Sequence, residues 1–293
     1  FVGQWLGFAD FHLHTRPNPD RFPEYDAELR QAMYQEIVRF VHDLFASDRP
    51  VMDLIQADYT FANDRLAEFY GLPKVKGDRF RQVSIPESLQ SQRGGIFGMG
   101  AVLTRTSTAL RTSPVLRGAW LYREVLGNPM PEPPPDVPMI SADETDDEGR
   151  SIAQQLAKHR ESAVCASCHD RIDPPGVVLE HFDPIGQWRQ TYLSGSPIDV
   201  KSELQSGEQI DGLVGLRQYL QGRRDRFATQ FAKKFLAYAL GRQLLLTDKP
   251  LIDQMVTSLE SEDYRPSSLI EAAILSQQFR TRRDLQDATA GTQ

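Results

Sequence analysis

Cys165-Ala166-Ser167-Cys168-His169 decides how this chain is read. It holds the only two cysteines among 293 residues. C-x-x-C-H is the spacing of covalent haem attachment. Two thiols one helical turn apart add to the two vinyl groups of a porphyrin, and the neighbouring histidine supplies an axial nitrogen to iron. Two other readings stay open on these residues alone. The pair is also half of a zinc site, which His159 or His181 would complete. It has the spacing of a thioredoxin-like dithiol as well, although no βαβ pattern surrounds it. The lack of any further cysteine favours haem over a thiolate-rich zinc ribbon.

Outward from the motif the pattern is helical. Residues 148–161 form a polar helical stretch leading into it, preceded by an acidic loop over 141–149. Glu148 stands where a calcium loop needs glycine, so that loop is not read as a calcium site. Pro129-Met130-Pro131-Glu132-Pro133-Pro134-Pro135 predicts an extended polyproline strap. Arg111-Thr112-Ser113-Pro114-Val115 is a helix entry, with Ser113 as N-cap and Pro114 at the first helical position, and that helix runs to about Leu126. Downstream, Asp173-Pro174-Pro175-Gly176 reads as a turn, and Gly186 to Ile198 as a β-hairpin.

Farther out, Leu29, Met33, Ile37, Phe40, Val41, Leu44 and Phe45 recur at helical steps after Asp26. A short helix follows Pro50, and another spans Phe61 to Tyr70 before Gly71. Arg79 to Ile85 alternate as a strand. The last third predicts helices through Phe227, Phe231, Phe235, Leu236 and Leu240, then over 250–261 and 267–279, with a disordered tail from Thr281. The fold class is therefore mainly α: helical segments packed around a cytochrome c-like haem domain, with short β-hairpin elements. The expected domains are an N-terminal helical one (1–92), a haem c-binding one with the strap (93–200) and a C-terminal helical one (201–293).

Composition excludes some classes. The net charge of −7 at pH 7 leaves no electrostatic footprint for nucleic acid. No apolar run approaches the roughly 18 residues of a membrane span. Covalent haem is attached outside the bacterial cytoplasm, so a periplasmic or otherwise extracytoplasmic location is expected. No export signal opens the chain, and Phe1-Val2-Gly3-Gln4-Trp5-Leu6 reads like the middle of a helix. Both suggest a processed chain or a fragment.

Several stretches together resemble a known protein type. Arg21-Phe22-Pro23-Glu24-Tyr25-Asp26 and Asp58-Tyr59-Thr60-Phe61-Ala62-Asn63 form the first part of the resemblance. The second comprises Arg111 to Gly118, the proline strap, His159-Arg160, the haem motif, Ile172-Asp173-Pro174, Phe182 to Gly186 and Trp188-Arg189. Tyr238-Ala239-Leu240-Gly241-Arg242 is the third. The chain resembles the large haem c proteins of planctomycetes and myxobacteria, assembled from domains of unknown function 1592, 1588 and 1585. The resemblance implies one covalent haem c and further upstream domains, often cytochrome-like. It implies no established reaction.

On the haem reading, Cys165 and Cys168 are the thioether anchors and His169 is the proximal iron ligand. For the distal position the candidates are His159 and Met99, with Met130, Met139 and His181 behind them. His159 lies ten residues before His169, about 15 Å along a continuous helix, so the chain must bend for both to approach one iron. Met99 sits between Gly98 and Gly100, where backbone approaches closely. Arg111, Arg117 and Arg189 are candidates for the haem propionates, since guanidinium forks onto carboxylate. Trp188 is expected to pack on the porphyrin. Asp173 and Asp183 read as turn-shaping residues. His12 and His14 would share one face of a strand and offer a weak metal reading.

The favoured function is electron transfer, with a redox protein or an upstream cytochrome-like domain of the same polypeptide as partner. The alternatives are a haem peroxidase or oxidase acting on peroxide or an organic polymer, and a structural zinc or scaffold module.

Overall fold

The computed structural model describes residues 1–130, 141–144 and 150–281. The proline strap beyond Met130, the distal candidate Met139, the acidic loop from Thr145 to Gly149 and the tail beyond Thr281 lie outside the described residues.

A short helix, α1 (Val2–Leu6), opens the chain. The first long helix, α2 (Ala27–Ala46), begins where Asp26 caps it, its carboxylate accepting the Leu29 amide at 2.7 Å. Leu29, Met33, Ile37, Phe40 and Leu44 share its buried face. After α3 (Asp53–Gln56) comes β1 (Tyr59–Ala62), then α4 (Asp64–Tyr70). Here the structure corrects the predicted start at Phe61. Tyr59, Thr60 and Phe61 are β-formers that pair antiparallel with β2 (Arg81–Ser84). Asn63 then resets the backbone, accepting the Leu66 amide at 3.0 Å.

The middle segment holds α5 (Gly100–Arg105), α6 (Pro114–Trp120), α7 (Ile152–His159) and α8 (Ala163–Val177). Ser113 and Pro114 act as expected, and α6 continues as a π-helical turn over Leu121–Val125. The predicted turn at Asp173 to Gly176 is instead the last part of α8. Pro174 and Pro175 remove two helical donors, yet packing against α6 keeps the segment helical.

The predicted hairpin between Gly186 and Ile198 reduces to two isolated bridges, Phe182 with Trp188 and Thr191 with Pro197. Asp183 explains the first loop: its side chain accepts the amides of Ile185 (2.9 Å) and Gln187 (2.8 Å). The ladder forms later, between β3 (Lys201–Glu203) and β4 (Gln209–Asp211). Five helices finish the described chain: α9 (Gly212–Gln221), α10 (Arg224–Leu240), α11 (Lys249–Ser261), α12 (Pro266–Leu275) and α13 (Gln277–Arg280). The protein is mainly α, with two small antiparallel sheets among the described residues. No helix among these residues is long and apolar enough to cross a membrane.

One hydrophobic cluster runs from Val2 to Ala273 and joins all three sequence-predicted segments. Phe1 packs edge-on against Phe231 and Phe235 of α10, with ring centroids 5.7 and 5.4 Å apart. Arg217 of α9 donates to the carbonyls of Gln90, Arg93 and Gly94, clamping the loop that enters the middle segment. A buried polar chain crosses the same boundary. Thr60 and Tyr70 donate to Glu36 at 2.6 and 2.7 Å, and Tyr70 accepts the Gly100 amide at 2.6 Å. The Arg93 guanidinium lies over the Tyr70 ring and donates to the carbonyls of Gly98 and Gly186, each at 3.0 Å.

Candidate functional site

The motif lies wholly within α8. Cys165, Cys168, His169 and Asp173 are spaced by three and four residues and so share one helix face. Both thiols are free and half-buried. Val164 beside them is 70% exposed, so this end of α8 meets solvent.

Two features set the position of α8. Its crossing with α6 is closed by Gly118 and Gly176. A Cβ at Gly118 would fall on the Ile172 carbonyl, and one at Gly176 on the Pro114 carbonyl. Only glycine at both places lets the two backbones approach this closely. The second feature is the entry from α7. Ser151 and Gln154 form a reciprocal capping box that starts α7. Arg160, Glu161 and Ser162 then turn the chain, with Ser162 in extended backbone at ψ 120. The bend required by the sequence reading is present, and it brings the His159 ring to 4.6 Å from that of His169, edge to face at 71°.

Asp173 is the residue that the turn reading concealed. It is fully buried, and its Oδ1 lies 2.9 Å from Nδ1 of His169. Among the described residues the other carboxylate oxygen has no hydrogen-bond partner. Burial pushes the Asp173 carboxyl above its usual range, and the adjacent His169 pulls it back in part. An ionised carboxylate only accepts, so this hydrogen bond places the ring proton on Nδ1. Nε2 then carries a lone pair, and among the described residues it has no hydrogen-bond partner. His159 is held below the usual histidine range, first by burial and then by its neighbour His169.

The arginines proposed from sequence have protein partners. Arg117 is buried and donates to the carbonyls of Leu179 (2.7 Å), Phe182 (2.9 Å) and Asp183 (3.0 Å) and to the Ser107 hydroxyl (3.1 Å). Arg111 donates to the carbonyls of Ser141 and Thr112 at 2.6 and 2.7 Å. Arg189 pairs with Glu144 and donates to the Glu180 carbonyl. Glu180 and Glu144 are both buried acids of this network, and Glu180 is the one nearer Arg117. It accepts from Thr112 at 2.7 Å, lies 3.6 Å from Arg117, and is pushed up by burial. Nothing in its sequence neighbourhood marked it. Trp188 packs on Phe182 and His181, with ring centroids at 5.2 and 4.6 Å. The His181 Nδ1 donates to the Arg189 carbonyl.

Met99 is buried in the main core, immediately before α5. His12 and His14 are not on a strand. His12 lies within a 3-10 turn over Phe11–Leu13 and is exposed, while His14 follows the turn and stacks on Phe11. Burial and the charge of Arg105 lower His14 to about 4, so it is a neutral packing residue. Among the described residues, no three His, Cys, Asp or Glu side chains converge as a metal-ion site.

Three family models match the chain in succession. Residues 1–72 match a protein family of unknown function (DUF1592), residues 93–192 a second (DUF1588) and residues 206–279 a third (DUF1585). The site described above lies within the second match. No curated protein and no solved structure gives a significant match.

Proposed function

The chain is a succession of the three families of unknown function 1592, 1588 and 1585, and on that premise we propose that it is an extracytoplasmic c-type cytochrome module with one covalent haem that transfers electrons. The observation that carries the reading is the His169–Asp173 pair beside two free thiols on one helix face. A metal-binding histidine commonly donates its second ring nitrogen to a carboxylate, which fixes tautomer and orientation. This donor set suits the axial and thioether anchoring of a haem. Bound there, the haem would supply one-electron Fe(III)/Fe(II) cycling.

The chain's own residues have separate tasks. Cys165 and Cys168 hold the cofactor by thioether bonds, and His169 presents Nε2 to the metal. Of the two distal candidates, His159 would line the haem pocket, since its ring adjoins His169, while Met99 is taken up by the main core. The exposed end of α8 suits electron exchange with a partner. That partner is a redox protein or an upstream cytochrome-like domain of the same polypeptide.

Peroxide chemistry is the second reading. His159 is the observation in its favour, since an imidazole near the site can act as an acid–base group. Absorption spectra of the oxidised and reduced protein separate the two. A low-spin oxidised spectrum, unchanged by cyanide or peroxide, supports electron transfer. A high-spin spectrum with rapid peroxide reaction overturns it in favour of an enzyme.

A further inference from the structure

We propose that Asp173 is a positioning residue that fixes the His169 ring for iron and lowers the reduction potential of the site; this rests on the haem reading above. Asp173 is one helical turn beyond His169, is fully buried, and has its Oδ1 2.9 Å from Nδ1. Among the described residues its second oxygen has no hydrogen-bond partner, and the charge of Arg160 acts on the carboxylate less than His169 does. Its negative charge is therefore directed mainly at the imidazole.

The consequence follows from elementary charge. A carboxylate accepting the Nδ1 proton makes the ring a stronger electron donor through Nε2. Stronger donation stabilises Fe(III) more than Fe(II), and the potential falls. A backbone carbonyl in the same place would orient the ring without the full negative charge. The geometry that holds Asp173 here also has a visible origin. The segment after His169 stays helical through Pro174 and Pro175, and Gly176 lets it pack against α6. Had Asp173 begun a turn, its side chain would not lie on the face of His169.

The test compares the full chain with Asp173→Asn, which keeps the size and an acceptor oxygen but removes the charge. Both proteins are first assayed for covalent haem by the pyridine haemochrome spectrum, then titrated spectroelectrochemically. The expected result is haem in both, with the Fe(III)/Fe(II) equilibrium of the variant shifted about tenfold towards Fe(II), about 59 mV for one electron. Equal potentials in two haem-bearing proteins overturn the role of Asp173 and leave the haem reading intact. A wild-type chain without covalent haem overturns both. A second measurement needs no variant: in the reduced wild-type protein the His169 Nδ1 proton should exchange slowly with solvent. Fast exchange would contradict a buried carboxylate holding it.

Discussion

Gly118 of α6 and Gly176 of α8 face each other across a helix crossing that admits no side chain at either position. The contact holds the half of α8 that carries Asp173 against α6, and so sets where His169 can point. Gly118→Ala and Gly176→Ala should each destabilise the protein by about 1–3 kcal/mol or more, because backbone must move to make room. Gly222 is the control. Its added Cβ meets only ordinary contacts, at 3.6 Å and beyond. Gly222→Ala should stay within about 0.5 kcal/mol of wild type in urea denaturation. Equal stability of all three variants would mean the crossing is not rigid.

Glu36 makes stability fall as pH rises through the mildly acidic range. Burial raises its carboxyl from 4.5 to about 7, against the hydrogen bonds from Thr60 and Tyr70. The folded state then binds a proton that the unfolded state has lost, so this contribution is complete below about 4.5 and declines towards 7. Glu36→Gln cannot titrate. The stability of wild type relative to this variant should fall by an order of about 3 kcal/mol over that range. A difference that is flat with pH would show that Glu36 is ionised throughout.

Arg117 is held by protein acceptors in this fold. Its removal leaves Glu180 buried beside three carbonyls that lose their donor. Arg117→Ala should cost about 3–5 kcal/mol even in a chain whose two thiols have been replaced and which carries no cofactor. If the haem-free protein is indifferent to the change while the haem-bearing one is not, the guanidinium serves the propionates instead.

His159 and Met99 give opposite expectations in the visible spectrum. His159→Ala should alter the Soret region or the spin state, because its ring adjoins His169 at 4.6 Å. Met99→Leu should leave the spectrum unchanged and cost less than about 1.5 kcal/mol, as a volume-conserving core exchange. The reverse pattern would assign Met99 to the distal side.

The helices were legible where local chemistry decides them. Asp26 caps α2, Ser113 and Pro114 open α6, and Gly71 and Gly241 close α4 and α10 in left-handed backbone, all visible as residue types. The pair of cysteines and His169 was equally plain. What the sequence hid depended on tertiary packing. Asp-Pro-Pro-Gly is locally a turn, and only α6 lying across it makes it helical. The His169–Asp173 spacing of four had no meaning until that helix continued. Glu180 gained a role because Arg111 and Arg117, distant in sequence, converge near it together with Arg189. The hairpin expected at Gly186 failed because Asp183 captures two amides of that loop, and Pro197 has no amide to give the ladder.

Covalent attachment of one haem at Cys165 and Cys168 is the central claim, and the intact mass of the purified chain after acid–acetone extraction tests it most directly. The haem reading predicts that the pigment stays with the polypeptide and that the mass exceeds the sequence by one haem, with both thiols blocked. A colourless chain of unmodified mass with two reactive thiols, from cells competent for haem attachment, would contradict it.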